Sequence, residues 1–375
     1  MLAVAVGWQI YALTSSPFYL GLVGLAQFLP MFILTLIVGH VADRYDRRLI
    51  IRLCQLVEGA GVIVLALGSY SGWLNKESIL IVVFVVGAAR AFESPTLQTL
   101  VPNLVTPQVF PRAAALSASS VQTATIMGPA LGGLIYTAGP TIAYSTVAAM
   151  FLAASLFISS IKIETKPVRR DPVSVKSVFA GISFIRSKPA VLGAISLDLF
   201  AVLLGGATAL LPIYAREILV VGPWGLGILR SAPALGALST SAFLAHHPLK
   251  HRMGRTMFIS VMIFGAATVV FALSKSFALS IAALAVLGAA DVISVVIRQS
   301  LVQLRTPDEM RGRVNAVNSM FVGTSNQLGE FESGLTAAWF GTVPAALIGG
   351  IGTIVVAAVW MRFFPDLLHV DTPEV

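Results

Sequence analysis

The chain has 375 residues, 57% apolar and only 11% charged, with a net charge of +8. Soluble domains carry roughly a quarter charged residues, so an ordinary soluble protein is excluded and an all-α integral membrane protein is implied. Cys54 is the single cysteine, which rules out an internal disulfide and a cysteine metal centre. There is no Gly-Lys dipeptide for a phosphate-cradling loop.

A helix crossing a hydrocarbon core of about 30 Å needs about 20 apolar residues. Such runs are predicted near 18–41, 49–69, 78–100, 113–137 and 140–161 in the first part of the chain. Others follow near 190–212, 225–246, 255–274, 277–300, 314–339 and 343–363. Residues 1–13, MLAVAVGWQIYAL, are apolar but too short to span.

An internal repeat relates the two series. QIYA (9–12) resembles PIYA (212–215), and PFYLGL (17–22) resembles PWGLGI (223–228). GAAR (87–90) matches GAAD (288–291), and Gly128 and Gly133 fall opposite Gly329 and Gly334. The expected organisation is therefore two pseudo-symmetric six-helix bundles, 1–161 and 190–375. Residues 162–189 join them as a basic, proline-containing cytoplasmic linker with an amphipathic segment. On this repeat the first helix should begin about a dozen residues before Met1, so a truncated first helix is expected.

Lys and Arg orient such a chain. Connectors on the side of Arg44, the linker and the C-terminus hold 19 of the 25, and the opposite side holds Lys76, Arg216 and Lys275. Both ends are thus expected in the cytoplasm. The charge follows topology, and no basic–aromatic module suggests nucleic acid. His246, His247 and His251 are read as incidental to a basic loop, and neither a metal nor a cofactor is expected.

GHVADRYDRR (39–48) concentrates charge between two apolar runs. A basic loop explains its arginines, but not Gly39 and Asp43 at the membrane edge, where a carboxylate can hold an Arg or a helix N-terminus in one conformation only. Gly39, Ala42, Asp43, Arg44, Arg47 and Arg48 resemble the loop 2–3 signature of the major facilitator superfamily. The resemblance implies a cytoplasmic gate element made by Gly39, Asp43, Arg44, Arg47 and Arg48. Asp46 stands where the family usually has Gly, and the second-half loop, His246 to Arg255, lacks the Asp. Arg90 resembles the family's buried Arg linked to proton coupling. GPALGG, with Gly128, Pro129, Gly132 and Gly133, resembles a motif of proton-driven antiporters, although Ala124 replaces its usual Gly. A kinked helix packed through small residues explains the hexapeptide equally well. VGWQIYALTSSPFYLGLVGLAQFLP (6–30) and GTSNQLGEFESG (323–334) resemble the branch of enterobactin exporters and macrolide efflux proteins.

Ionisable groups inside spans are costly and face an interior or a cavity. The candidates are Glu58, Arg90, Glu93, Asp198, Asp291, Glu330 and Glu332, with Arg230 and Arg298 nearer span ends. Arg90 and Glu93, three residues apart, are expected to pair, either as a structural salt bridge or as a proton relay. In the polar run 314–339, Asn318, Ser325 and Glu332 recur at seven-residue spacing on one face. That face makes helix–helix hydrogen bonds or forms a cavity wall for a polar or cationic substrate. Asp198 and Asp291 are further cavity candidates.

The resemblance implies a secondary transporter rather than an enzyme. The expectation is a monomer in the plasma membrane, or the inner membrane of a Gram-negative cell, exporting a small amphipathic compound in exchange for protons. An importer or facilitator is the alternative within transport, and a non-transporting sensor the alternative outside it.

Overall fold

The computed structural model describes residues 1–106, 108–161, 175–249 and 251–371, without the side chains at 35, 36, 39, 40, 42, 43, 101, 103 and 175–178. Residues 162–174 of the expected linker lie outside the described residues. Every regular element among the described residues is helical. Backbone groups in hydrocarbon have no water to bond, so an α-helix, which satisfies its own, is the natural spanning form.

The first series contains α1 (Leu2–Thr14), α2 (Pro17–Arg44), α3 (Arg47–Ser71), α4 (Lys76–Leu104), α5 (Phe110–Tyr136) and α6 (Pro140–Ser160). Short polar caps separate them. Asn75 accepts a hydrogen bond from the Ser78 backbone N–H at 2.8 Å to start α4. Gly72, at φ 74°, ends α3 in the left-handed conformation that glycine adopts without a Cβ penalty.

After the linker come α7 (Val175–Ser187) and α8 (Pro189–Leu204). A 3₁₀ turn (Ala207–Leu210), the single turn α9 (Leu211–Ile213) and a π-helical stretch (Tyr214–Ile218) follow. Then come α10 (Gly222–His246), α11 (Met253–Leu273), α12 (Phe277–Leu304), α13 (Asp308–Phe340), α14 (Thr342–Phe363) and the short α15 (Pro365–Leu368). The expected helix at 190–212 is therefore broken. At Gly206 a Cβ would fall 2.6 Å from the Gly329 carbonyl carbon, so the chain passes α13 where only glycine fits, and helical winding changes there.

Among the described residues nine helices are long and apolar enough to cross a membrane, against eleven expected runs. The two that fall short are α5 and α13, which are long enough at 27 and 33 residues but rich in Ser, Thr, Asn, Gln and Glu. Such helices survive in a membrane by facing protein or water rather than lipid.

The chain divides into two compact units. One comprises residues 1–15, 22–173 and 222–227; the other comprises 16–21, 174–221 and 228–375. In the first, α3 packs chiefly on α6 and α4, while α1 lies on α5 and α6. In the second, Leu197, Met257, Phe258 and Ile297 join α8, α11 and α12 in one fully buried core. Ile185 of α7 packs with Val191, Val302, Val314 and Val317, so α7 covers the ends of α8, α12 and α13 with its apolar side.

The repeat seen in sequence recurs in the packing. A Cβ on Gly87 of α4 would lie 3.0 Å from Gln27 Cα and 3.2 Å from the Pro30 ring of α2. A Cβ on Gly288 of α12 would lie 2.6 Å from Pro233 Cα of α10. In both units a proline-bearing helix crosses its neighbour at a glycine.

Candidate functional site

In the first unit, Gln55 and Glu58 stand three residues apart on one face of α3, opposite Arg90 and Glu93 on α4. Arg90 Nε lies 3.4 Å from Glu58 Oε1, whereas the sequence suggested pairing with Glu93. Glu93 instead accepts a hydrogen bond from Gln55 Nε2 at 3.0 Å. An i, i+3 pair can meet on one helix, but here the neighbouring helix offers each partner a better-placed group. Glu58 is fully buried, neither of its oxygens accepts a hydrogen bond, and the Glu93 carboxyl lies beside it. The Arg90 side chain is 47% exposed. A guanidinium turned to lipid is expensive, so this open side is expected to face water or protein. Buried Cys54 sits on the same face, with Ile50 and Ala89.

At the end of α2, Arg44 is exposed, whereas the surroundings of Gly39 and the side chain of Asp43 lie outside what is described. Arg47 Nη1 donates to the Thr99 carbonyl at 3.2 Å, and Arg48 Nη1 donates to the Ile161 carbonyl at 2.8 Å. These arginines tie the start of α3 to the ends of α4 and α6 within one unit. Asp46, the departure from the family pattern, caps α3. Its Oδ1 accepts from the Arg48 backbone N–H at 2.9 Å, and its Oδ2 pairs with Arg48 Nη2 at 2.8 Å. The Arg48 side chain, aided by its backbone N–H, holds the Asp46 carboxyl below the usual carboxylate range against a smaller opposing effect of burial.

In the second unit, Asp198 of α8 forms an ion pair with Arg298 of α12, and both are buried. Asp198 and Asp291 line one small pocket with Ser294 and apolar side chains. The pocket has room for about one water-sized occupant, so it does not suit an amphipathic substrate. On α13, Ser325 is fully buried and spends its hydroxyl on the Val322 carbonyl at 3.0 Å, which makes it a packing residue. Glu332 is half-buried and accepts from Thr336 Oγ1 at 2.8 Å. Asn318 is half-buried, and its Oδ1 has no hydrogen-bond partner.

Pro129 lies inside α5, and the glycines around it are packing positions of unequal tightness. A Cβ on Gly128 would lie 3.6 Å from the Met1 nitrogen, an ordinary contact. On Gly132 it would lie 2.6 Å from Met1 Cα, and on Gly133 2.9 Å from Gly227 Cα.

Sequence reasoning singled out neither Glu58 nor Gln55 as partners, and it left Arg298 among residues near a span end. Helical spacing was the available signal. Gln55 and Glu58 are i, i+3, and Asp291, Ser294 and Arg298 are i, i+3, i+7, so each set shares a face.

Long helices in repeat-related series, with charges buried between them, define a membrane transporter of the major facilitator fold. A bacterial homologue of the human lysosomal transporter Spinster, solved inward-facing and occupied, has this fold at a TM-score of 0.76 and 14% identity, covering 98% of this chain and 93% of that one. A variant of the nucleoside transporter NupG has it at 0.74 and 15%, covering 97% and 95%. The transmembrane secretion effector family matches residues 1–372, and the chain belongs to that family of major facilitator transporters. Among its relatives, the enterobactin exporter EntS of Citrobacter koseri is 28% identical over 381 residues, covering 100% of this chain and 90% of that protein. EntS of Escherichia coli K12 is 27% identical over 377 residues, covering 98% and 89%. The protein is thus a multi-pass membrane transporter of a small molecule, and not an enzyme.

Proposed function

We propose that this transporter exports a small amphipathic compound, siderophore-like or macrolide-like, from the cytoplasm in exchange for protons. Two six-helix halves, 1–161 and 190–375, would rock about a site near the membrane midplane. The basic linker and both termini would lie in the cytoplasm. Kinship with enterobactin exporters supports the direction and the substrate class.

The observation that carries the proton reading is the Glu58–Arg90–Glu93 cluster. Two carboxyls face one guanidinium, so the group is charged −1 when both acids are ionised and neutral with one proton aboard. Two neighbouring carboxyls also favour a proton on one of them, because like charges repel. Arg90, open on one side, can move relative to Glu58 as the halves rock, and the cost of the unprotonated cluster changes with it. Gln55 keeps Glu93 oriented throughout. Gly39, Asp43, Arg44, Arg47 and Arg48 would form the cytoplasmic gate. On α13, the unpaired oxygen of Asn318 and the carboxylate of Glu332 suit a polar wall of the substrate cavity.

The test uses everted membrane vesicles loaded with a pH-sensitive dye under an acid-inside gradient. A catecholate siderophore, a macrolide and a cationic dye are added in turn. One of them should release protons, and Glu58→Gln or Glu93→Gln should reduce that release at least tenfold while the labelled compound still binds. Accumulation of labelled compound with no proton movement would overturn proton exchange and leave a facilitator.

A further inference from the structure

The mechanism above leaves one polar group of the second unit without work: Arg230 on α10, with Gln327 and Glu330 on α13. Gln327 and Glu330 stand three residues apart and share a face of their helix. The charges of Arg230 and Glu330 act on each other across the two helices. They do not close into an ion pair among the described residues. Arg230 Nε is buried without a hydrogen-bond acceptor, and Gln327 Oε1 is buried without a donor.

Depth places the group. Helices α10 to α13 alternate in direction, so the start of α10 and the end of α13 lie on one side of the membrane. At 1.5 Å per residue, Arg230 is about 12 Å along α10 from Gly222, and Glu330 is about 15 Å from Phe340 at the end of α13. Both stand close to the middle of a hydrocarbon core about 30 Å thick. Lipid offers them no partner there, so such side chains face protein or a cavity.

We infer that Arg230, Gln327 and Glu330 form a recognition point for neighbouring hydroxyls of the exported compound. The inference rests on the exporter proposed above and names the chemistry that its site selects. A guanidinium only donates, whereas Gln327 Oε1 and a carboxylate oxygen only accept. The occupant must therefore offer a lone pair to Arg230 and an O–H to Gln327 or Glu330. A hydroxyl has both capacities, and two on adjacent carbons, as in a diol or a catechol, serve both helices at once. A protonated amine has donors alone. It would leave Arg230 Nε without an acceptor and bring a like charge towards the guanidinium. A carboxylate has the opposite fault, leaving Gln327 Oε1 without a donor and setting its charge against Glu330. The charges of Arg230 and Glu330 cancel, which suits a neutral group. A site built to bond a hydroxyl rejects an analogue that lacks it far more strongly than an apolar pocket rejects a missing methylene.

Binding is measured with no gradient and no transport. Purified protein in nanodiscs is equilibrated with a labelled catecholate siderophore and a labelled macrolide, each also with its hydroxyls methylated, and with a cationic dye. The parent protein should bind one of the two hydroxyl-bearing compounds at least tenfold more tightly than its methylated form. Gln327→Leu removes an acceptor without stranding a charge. It should weaken the hydroxyl-bearing compound at least tenfold and leave the methylated form unchanged. Arg230→Gln should do the same, and neither variant should weaken dye binding. Whichever compound loses its preference, siderophore or macrolide, is the one whose hydroxyls occupy the site. Equal affinity of the hydroxyl and methylated forms in the parent, binding of neither compound, or a preference retained in folded Gln327→Leu would overturn the inference. The expected preference without proton release in the vesicle assay would instead count against proton exchange alone.

Discussion

The two units hold the same ingredients, two acids and one arginine on adjacent helices, but not the same access. In the first, the Arg90 side chain is 47% exposed beside a fully buried Glu58. In the second, the Arg298 side chain is 3% exposed and locked to Asp198. An exposed arginine can change partners at little cost, because water solvates it during the exchange. A sealed one cannot, because each charge left unpaired pays its desolvation in full. Each half thus carries a charge group, although not at repeat-equivalent positions, since Arg90 aligns with Asp291; one arginine is open and the other sealed.

The sharpest way to break this contrast is to remove each arginine. Arg298→Ala strands a buried carboxylate and should cost about 3–5 kcal/mol, enough to depress expression and melting temperature severely. Adding Asp198→Asn should recover part of that loss, since no charge is then abandoned. Arg90→Ala should change the melting temperature much less but reduce proton-coupled flux at least tenfold. Equal melting temperatures for the two single variants, measured by size-exclusion profiles after heating, would dissolve the distinction between a fixed and a movable arginine.

A second pair tests where the units are alike. Gly133 and Gly334 hold equivalent positions, and each sits against a glycine of another helix. A Cβ on Gly133 would lie 2.9 Å from Gly227 Cα, and on Gly334 2.6 Å from the Gly21 nitrogen. Both neighbours are backbone and cannot swing aside, so Gly133→Ala and Gly334→Ala should each destabilise by about 1–3 kcal/mol. Gly128→Ala, with only an ordinary contact ahead of it, should be close to neutral. Thermal melts of the three proteins settle the matter, and a large loss in Gly128→Ala would show that the motif acts through something other than packing.

Much of this was legible in the sequence, for reasons that differ along the chain. Apolar runs gave ten of the long helices to within a few residues, because hydrocarbon leaves the backbone few alternatives. At 190–212 they placed the span, which runs from Pro189 to Ile218, but not its break at Gly205 and Gly206, because the obstacle, the Gly329 carbonyl, is more than a hundred residues away. The acids and arginines could be placed at membrane depth from spacing. Their partners could not, because spacing reports neighbours on one helix and the decisive contacts, Arg90 to Glu58 and Arg298 to Asp198, cross between helices. Ser325 shows the same limit: its polarity allowed a cavity wall or a bond between helices, and its hydroxyl is satisfied on its own helix, by the Val322 carbonyl.

The smallest expected effect concerns how corresponding helices begin. At the start of α3 the orphan N–H groups meet a side chain, Asp46, clamped by Arg48. At the start of α11 they meet the chain's own far end. The Gly254 N–H donates to the Val370 carbonyl at 3.0 Å and the Met253 N–H to the Asp371 carbonyl at 3.4 Å. A carboxylate titrates and a carbonyl does not, so only α3 should start in a pH-dependent way. Because the folded Asp46 carboxyl is held below its ordinary 3.8, its contribution is present in full above that value and fades as pH falls through the lower folded value. Asp46→Ala should therefore cost about 1 kcal/mol near neutrality, and the gap from the parent protein should close in strong acid. Melting temperatures of the two proteins across that pH range, followed by tryptophan fluorescence in detergent, provide the check. A gap that stays constant into strong acid would mean that Asp46 acts by its shape and packing, and that the two helix starts differ in sequence but not in chemistry.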